Sequence, residues 1–557
     1  MWPLVLALLS CLAVESRRIV DLSHAYDNRT LNGPVYRQFK LTHQENFNGT
    51  YWKGDEIYMA THTGTHLDAP CHFSRGRWCV TDIPLERLVD VPAVVIDVNR
   101  GLDGELIPDD LVKWEAKHGS IPKHAVILLR SGWHKKYPNY REYYGTDMKS
   151  LDHLRFPGFS IGAARWLLNH TKIAGLGVDG PSVDPGRFMT TFPVHVLSAR
   201  SNLYLLESLA DISELPASGA RLTVLPMKIV GGSGAPVRVI AHLPSASFAV
   251  GPSSILLLIT MLKKKRKSSF RQQGRSLCQH GPDISGIRPS FLAVNMWPLV
   301  LALLSCLAVE SRRIVDLSHA YDNRTLTGPV YRPFKLTHQE NSNGTYWKGD
   351  EIYMATHTGT HLDAPCHFSR GRWCVTDIPL ERLVDVPAVV IDVNRGMDGE
   401  LIPEDLVKWE AKHGSIPKHA VILLRSGWHK KYPNPREYYG TDIKSLDHLR
   451  FPGFSIGAAR WLLNHTKIAG LGVDGPSVDP GRFMTTFPVH VLSARSNLYL
   501  LESLADISEL PASGARLTVL PMKIVGGSGA PVRVIAHLPS ASFAVGPSSI
   551  LLLITML

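Results

Sequence analysis

The sequence predicts an α/β protein with mixed sheets and flanking helices, arranged as two tandem copies of one domain. Residues 1–262 and 296–557 align without gaps and differ at only seven positions. Within each copy, β-branched runs alternate with helix-forming segments, as they do in α/β folds. Each copy is long enough to bury its own core, and the repeat is far too long for a solenoid. The differences, with the first copy named first, are Asn32/Thr327, Gln38/Pro333, Phe47/Ser342, Leu102/Met397, Asp109/Glu404, Tyr140/Pro435 and Met148/Ile443.

Local patterns predict the strands and helices within a copy. Short apolar runs that are rich in β-branched residues and bounded by Pro or Gly predict buried strands. One helix candidate begins with Pro108, and the other begins after Ser160 as its N-cap. The predicted strands are Ile19–Ser23, Ala93–Val98, Ala125–Arg130, Ile173–Val178 and Leu222–Val230, and the predicted helices are Pro108–His118 and Ser160–Asn169. The strand-rich first third favours mixed rather than purely parallel sheets.

Apolar segments border each domain. Trp2–Val14 is too short to span a membrane comfortably and ends in small residues, which indicates a secretory signal peptide. Phe248–Leu262 predicts either a packed terminal strand or a membrane tether. Lys263–Asn295 is polar and lacks periodicity, so we expect a disordered linker. The expected organisation is a signal peptide at 1–16, a domain at 17–244, an apolar tail and basic linker at 245–295, a second signal-like segment at 296–311, a second domain at 312–539 and an apolar tail at 540–557.

A second signal-like segment, complete with Met296, has no evident use inside a mature protein. We therefore hypothesise that the sequence joins two tandem gene copies, each encoding a functional protein of about 262 residues. A single transcript that spans Met261 to Trp297 would contradict this hypothesis.

Charge and cysteine content bear on partners and compartment. The linker holds eight basic residues and one acidic residue, so each copy is nearly neutral although the chain carries +11. We therefore expect no nucleic-acid partner. The signal peptide predicts a secreted, extracellular or ER-lumenal protein, with the apolar tail as a candidate membrane anchor. Cys71 and Cys79 (Cys366 and Cys374) either form a disulfide or remain buried thiols. Glycosylation sequons, which agree with secretion, begin at Asn28, Asn48, Asn169, Asn323, Asn343 and Asn464.

The most informative segment is His62-Thr-Gly-Thr-His66-Leu-Asp68-Ala-Pro-Cys-His72. Imidazole and carboxylate ligands suit Zn²⁺ or Mn²⁺ without any thiolate. Gly64 and its threonine neighbours disfavour a helix, and Pro70 ends regular helical hydrogen bonding, so we expect an extended or turning segment. A catalytic metal site of this kind keeps a position open for water, which predicts a hydrolase. The alternative is a histidine-rich surface loop without a ligand.

This segment resembles the His-x-Gly-Thr-His-x-Asp-x-Pro-x-His signature of the cyclase-type metal-dependent hydrolases, whose best-known members are bacterial-type kynurenine formamidases. The resemblance also covers Ile19–Ser23, Arg130–Trp133, Gly177–Ser182 and Gly231–Pro236. It implies a swivelling β/β/α domain that is usually dimeric, here either a homodimer or a pseudo-dimer of the two copies.

The resemblance also implies a role for each site residue. His62, His66 and Asp68 would bind one metal, and His72 would donate and accept a proton. His195 and Glu207, twelve residues apart, would complete a second metal site. Tyr36 is a candidate substrate contact. The matching residues of the second copy are His357, His361, Asp363, His367, His490, Glu502 and Tyr331.

The expected function is a metal-dependent amide hydrolase with two divalent metals in each domain. The resemblance implies an arylformamidase that converts N-formylkynurenine to kynurenine and formate. Two alternatives remain: an isatin hydrolase or another cyclic amide, lactone or ester hydrolase, and a secreted metal-binding protein without activity. The complete ligand set in both copies favours an enzyme. The predicted secretory signal of this chain differs from what is expected of a cytosolic enzyme of tryptophan catabolism.

Overall fold

The computed structural model describes residues 18–46, 50–244, 313–341, 344–442 and 445–539. The expected signal segments, apolar tails and linker lie outside these residues. The strands of the first copy are β1 (Ile19–Asp21), β2 (Lys40–Asn46), β3 (Trp52–Ala60), β4 (His66–Asp68), β5 (Val91–Asp97), β6 (Glu105–Leu106), β7 (Val126–Arg130), β8 (Gly158–Phe159), β9 (Gly175–Val178), β10 (Tyr204–Glu207), β11 (Arg221–Pro226) and β12 (Gly234–His242). Its helices are α1 (Pro108–His118), α2 (Tyr140–Tyr144), α3 (Ile161–His170) and α4 (Pro193–Arg200).

The second copy repeats this order. Its strands are β13 (Ile314–Asp316), β14 (Lys335–Asn341), β15 (Trp347–Ala355), β16 (His361–Asp363), β17 (Val386–Asp392), β18 (Glu400–Leu401), β19 (Val421–Arg425), β20 (Gly453–Phe454), β21 (Gly470–Val473), β22 (Tyr499–Glu502), β23 (Arg516–Pro521) and β24 (Gly529–His537). Its helices are α5 (Pro403–His413), α6 (Pro435–Tyr439), α7 (Ile456–His465) and α8 (Pro488–Arg495).

Each copy forms a mixed, barrel-like sheet. In the first copy the strand order is β1-β12-β11-β5-β7-β9-β10-β4, and an additional β12–β4 pairing closes the ring. The pairs β5–β7, β7–β9 and β9–β10 are parallel, and the other pairs are antiparallel. The helices pack outside: Leu111, Leu167 and Val194 are fully buried in the core cluster that contains one face of the parallel strands. The prediction of an α/β fold with mixed sheets in two tandem copies is confirmed.

A β-hairpin of each copy joins the two domains. Strand β3 pairs antiparallel with β15, with Tyr58 opposite Tyr353, and forms the four-stranded sheet β14-β15-β3-β2. Across this seam Tyr58 donates to Glu351 at 2.5 Å, and Tyr353 donates to Glu56 at 2.5 Å. One apolar cluster contains core residues of both copies. The two domains therefore share a continuous core in one compact unit.

The predicted elements differ from the structure in a few places. Helix α1 has the predicted bounds, and Ser160 caps α3 by accepting from the amide of Ala163 at 3.0 Å. The strand predicted over Leu222–Val230 is wrong at its end, because β11 stops at Pro226. The chain must turn there to reach β12, and the amide of Ile229 donates to the carbonyl of Met227 within the turn. Among the helices of the described residues, none has the length and apolarity needed to cross a membrane.

Candidate metal centre

Strand β4 brings the first ligand candidates together. It lies between β10 and β12, with His66 opposite Glu207 and Asp68 opposite Gly234. Because alternate residues of a strand share a face, His66 and Asp68 point the same way. The turn before β4 requires Gly64, whose φ is +60° and whose added Cβ would lie 2.9 Å from the Tyr26 ring. The segment is extended and turning, as predicted.

A rigid 3₁₀ turn, Pro70–His72, follows β4 and carries the last histidine of the motif. A disulfide joins Cys71 to Cys79 beside it, and the same bond joins Cys366 to Cys374. Of the two alternatives, the structure has the disulfide and not the pair of buried thiols. The disulfide closes a short loop at His72 and restricts the backbone on which this side chain stands.

Helix α4 supplies His195 from its first turn. The residue before the helix, Phe192, has φ +50° and ψ +49°, a left-handed conformation that only a well-packed environment maintains for a non-glycine residue. Asp184 fixes the start of the helix, since it accepts from the amides of Val194 (2.8 Å) and His195 (3.0 Å). The same carboxylate accepts from His195 Nδ1 at 2.7 Å, so the ring orientation is set as well.

The predicted ligands converge in a buried cluster. His195 Nε2 lies 3.2 Å from Asp68 Oδ2 and 3.2 Å from Glu207 Oε1. His66 Nε2 lies 3.2 Å from Asp68 Oδ1 and 3.6 Å from Glu207 Oε2. His62 Nδ1 lies 2.6 Å from Asp68 Oδ1. Asp68 thus occupies the centre, and each of these residues is at most 5 % exposed. The second copy repeats the cluster with His357, His361, Asp363, His490 and Glu502.

The outward nitrogen of each imidazole already has an acceptor. His66 Nδ1 donates to the carbonyl of Gly64 (2.8 Å), His195 Nδ1 to Asp184, and His62 Nε2 to the hydroxyl of Ser233 (2.9 Å). These assignments follow from the partners, because a carbonyl and a carboxylate only accept and Ser233 itself donates to a carboxylate. The inward nitrogens are therefore the atoms that face Asp68 and Glu207. Such an electron-rich cluster fits a shared cation, and the imidazole–carboxylate donor set suits a divalent transition metal.

His72 stands at the edge of this cluster. Its ring stacks on His62 with centroids 3.9 Å apart, and its Nδ1 donates to the carbonyl of Lys348 in the other copy. His367 makes the same bond to the carbonyl of Lys53, at 2.5 Å. With Nδ1 occupied, Nε2 is the nitrogen free to face the centre. His62, Asp68 and His72 also lie close enough together to hold one ion, as do His66, Asp68 and Glu207.

Burial and neighbouring charges shift the pKa values of the cluster. Burial, reinforced by nearby His62, lowers the pKa of His72 well below its usual value, which favours a neutral imidazole. Burial would raise the pKa of Asp68, but the adjacent His62 and His66 hold it well below its usual value. Burial would lower the pKa of His195, yet the Glu207 carboxylate raises it well above the usual value. The carboxylates of Asp68 and Glu207 therefore favour a positive charge at the centre of the cluster.

The cluster forms the floor of a pocket that encloses about 830 Å³, including solvent at its mouth. Its walls are mostly apolar and aromatic. Tyr36 lines the pocket, with its ring nearly parallel to that of His62 at 5.7 Å. Among the described residues, no Lys or Arg side chain lines it. The apolar and aromatic residues of the wall are Leu31, Pro34, Val35, Tyr36, Phe73, Tyr144, Leu151, Leu154, Phe156, Pro181, Met189, Phe192 and Trp347.

The other copy completes each site. Trp347 lines the first pocket, and Trp52 lines the second. Asp350 accepts from the hydroxyl of Ser233 at 2.6 Å, and Ser233 in turn accepts from His62. At the second site, Asp55 of the first copy accepts from the hydroxyl of Ser528 at 2.6 Å in the same way. The hairpin that joins the domains therefore also supports their sites.

Several of these residues were not identified from the sequence. Asp184 carries no signal beyond its place before Pro185, which also suits an ordinary turn. Ser233 lies in a glycine-rich segment, Gly231–Pro236, to which no role was given. Trp347 and Asp350 belong to the second copy, which is offset by 295 residues from the first, yet they contact the first site. No local sequence pattern identifies such residues.

Replacing Asp184 and Asp479 by Asn is expected to weaken metal binding about 10- to 100-fold, because the amide carries no charge and has only one oxygen left to accept from the N–H groups that orient His195 and His490. Competition with a chromogenic chelator measures this affinity. The control is Asp90→Asn with Asp385→Asn, since these exposed carboxylates pair with Arg221 and Arg516. Unchanged metal affinity in the Asp184→Asn protein would show that the contact between Asp184 and His195 does not affect metal binding.

The chain is similar to several known proteins. The model of a family described as putative cyclase matches residues 20–185 and 315–480. An isatin hydrolase from Roseibium aggregatum is 32% identical over 212 residues, covering 36% of this chain and 79% of that protein. A kynurenine formamidase from Salinibacter ruber is 28% identical, covering 40% of this chain and 96% of that protein. The structure of isatin hydrolase A from Labrenzia aggregata bound to benzyl benzoate is 34% identical, with a TM-score of 0.38, and covers 43% of this chain and 99% of that chain.

Proposed function

The chain belongs to the putative cyclase family and is a metal-dependent hydrolase, and from this premise we propose that each copy hydrolyses an amide bond of an aromatic compound. The first candidate substrate is N-formylkynurenine, which would give kynurenine and formate. The observation that supports the proposal best is the convergence of imidazole nitrogens on Asp68 and Glu207 at the floor of an aromatic pocket.

His62, His66, Asp68, His195 and Glu207 would hold the metal, and we propose two ions per copy. A divalent metal in such a site supplies a water of lowered pKa and polarises the carbonyl to be attacked. We propose Zn²⁺ or Mn²⁺, because both accept histidine and carboxylate ligands.

His72 carries the proton in the proposed reaction. Its Nδ1–H is tied to the carbonyl of Lys348, so Nε2 takes the proton that the attacking water loses. Water oxygen bonds to the amide carbon, the C–N bond breaks, and the same Nε2 returns the proton to the departing nitrogen. The aromatic wall, with Tyr36 beside His62, would hold the substrate ring and exclude water.

Isatin is the second candidate substrate, and the lining of the pocket favours it. Kynurenine bears an α-amino acid group whose carboxylate would need a cationic partner, and no Lys or Arg side chain lines the pocket among the described residues. Isatin is a neutral cyclic amide that an apolar aromatic pocket can enclose. Its hydrolysis would use the same attack on an amide carbon and the same proton transfer.

The test is hydrolysis of both compounds by the metal-loaded full-length chain, followed by absorbance. Turnover of N-formylkynurenine supports the formamidase, and turnover of isatin alone supports the cyclic-amide hydrolase. If neither these nor lactone and ester analogues turn over in a folded, metal-loaded protein, the alternative of a metal-binding protein without activity holds.

We propose that the two copies act as a pseudo-dimer, since each site takes Trp and a backbone carbonyl from the other copy. In a chain whose second site is silenced by Asp363→Asn, Trp347→Ala is expected to raise KM about tenfold, because a buried aromatic contact is worth roughly 1–2 kcal/mol. The control is Trp52→Ala in the same background, which alters only the silenced pocket. Steady-state kinetics measure both, and equal KM values would contradict the exchange of tryptophans.

We further propose that the protein is secreted or resides in the ER lumen, with the apolar tail as a membrane anchor. The disulfides support an oxidising compartment, because such bonds persist there. The proposed partners are a small amide and no nucleic acid, in keeping with the near-neutral domains. Fractionation of expressing cells tests this: a protein in the medium or on membranes is expected, and a purely cytosolic one would contradict it.

A further inference from the structure

One wall of the pocket differs between the copies. Residues 31–36 all line the first pocket. In the second pocket the matching segment contributes every residue of 326–331 except Thr327. Among the substituted positions that the structure describes in both copies, 32/327 is the only one with a residue in the lining of either pocket. Tyr140, which is Pro435 in the second copy, reaches the lining only through its contact with Tyr144. A direct difference between the two linings is therefore expected in this segment.

The substitution changes the hydrogen bonds of the segment. In the first copy Asn32 Nδ2 donates to the carbonyl of Tyr36 at 2.7 Å and to the carbonyl of Gly33 at 3.3 Å. In the second copy the hydroxyl of Thr327 is buried and has no hydrogen-bond partner among the described residues. The backbone turn is the same, since Tyr36 donates to Gly33 and Tyr331 to Gly328 at 3.1 Å each. Only the first copy adds a side-chain bridge across this turn.

The bridge bears on the aromatic residue of the turn. The rings of Tyr36 and Tyr331 each lie nearly parallel to a metal-ligand histidine, with centroids 5.7 Å apart. In the first copy, moving Tyr36 away breaks one additional hydrogen bond, the one that Asn32 donates to the carbonyl of Tyr36. Within the second segment the backbone turn alone holds Tyr331, and outside the segment the ring of Trp52 meets the Tyr331 ring edge-on with centroids 6.2 Å apart. Moving Tyr331 away from the second pocket is therefore expected to cost less free energy than moving Tyr36 away from the first.

We propose that Asn32 is a positioning residue that holds the Tyr36 wall closed over the substrate, so that the two sites of this chain bind one aromatic substrate with different strength. This inference rests on the proposed function for its substrate. The metal ligands and His72 are identical in the two copies, so the difference lies in KM and leaves kcat nearly equal. A side-chain hydrogen bond of ordinary net strength predicts a KM about two- to tenfold lower at the first site.

Single-site chains test the proposal. Asp363→Asn leaves only the first site active, and Asp68→Asn leaves only the second. Asn32→Thr in the first background is expected to raise KM to the value of the second site, and Thr327→Asn in the second background is expected to lower it. If each site keeps its original KM after Asn32→Thr or Thr327→Asn, the proposal is wrong.

Hydrogen exchange tests the same bridge without any turnover. In the metal-free full-length chain, peptides from 31–38 and 326–333 differ in mass and are resolved separately. Slower exchange at Tyr36 than at Tyr331 is expected, and Asn32→Thr should remove the difference. The control Gln38→Pro copies the neighbouring substitution and should leave it. Equal exchange in the two segments would overturn the proposal even if both sites hydrolyse amides, whereas a clear difference without hydrolysis would fault only the proposed function.

Discussion

Replacing His72 and His367 by alanine is expected to lower kcat by about 10²- to 10⁴-fold while both sites keep their metal, the usual contribution of a positioned acid–base group. His72 Nδ1 is bonded to the carbonyl of Lys348, which leaves Nε2 for the proton. Burial beside His62 lowers the pKa of His72, so the imidazole is neutral and able to accept. Neither alanine can take the proton or return it to the departing nitrogen.

Metal analysis and steady-state kinetics on the same sample measure this effect. The control is His118→Ala with His413→Ala, because these histidines lie in the last turns of α1 and α5 and are exposed. Its kcat should equal that of the unmodified chain. If the His72→Ala protein loses metal in parallel with activity, His72 is a ligand beside His62 and Asp68, and the proton needs another carrier.

Replacing Asp68 and Asp363 by Asn is expected to remove both the metal and the activity, with kcat/KM at least about 10³-fold lower, because no water of lowered pKa remains. Asp68 faces His62 and His66 with one oxygen and His195 with the other. An amide has the same shape but no charge, so it would hold a divalent cation far more weakly.

The matched control changes a carboxylate to an amide at the surface, as in Asp90→Asn with Asp385→Asn, and should retain metal and rate. Metal content after dialysis and kcat/KM in excess metal are the two measurements. Full activity in the Asp68→Asn protein would contradict the central position of this carboxylate. Far-UV circular dichroism of the metal-free proteins separates loss of metal from loss of fold.

Three residues at the centre of the candidate site could be singled out from the sequence because they lie in a compact motif. His62, His66 and Asp68 follow one another within seven residues, and a glycine turn and a proline restrict the backbone between and after them. The structure brings these residues together with His195 and Glu207 around Asp68. Their roles as ligands remain predictions.

Other features could not be predicted, for identifiable physical reasons. Helix α4 lacks a capping side chain, and it begins after a residue with a left-handed backbone that Asp184 and tertiary packing maintain. The contacts of Trp347 and Lys348 with the first site depend on pairing of β3 with β15, which joins residues almost 300 positions apart. Local sequence patterns do not encode such long-range contacts.

The most direct test of the central claim is chelation and reconstitution of the full-length chain. Its rate on N-formylkynurenine and isatin is measured as purified, after EDTA and dialysis, and after addition of Zn²⁺ or Mn²⁺. The account predicts that turnover of one of these amides disappears with the metal and returns with it, in proportion to ions bound. A rate that persists in protein shown to contain no metal would contradict it.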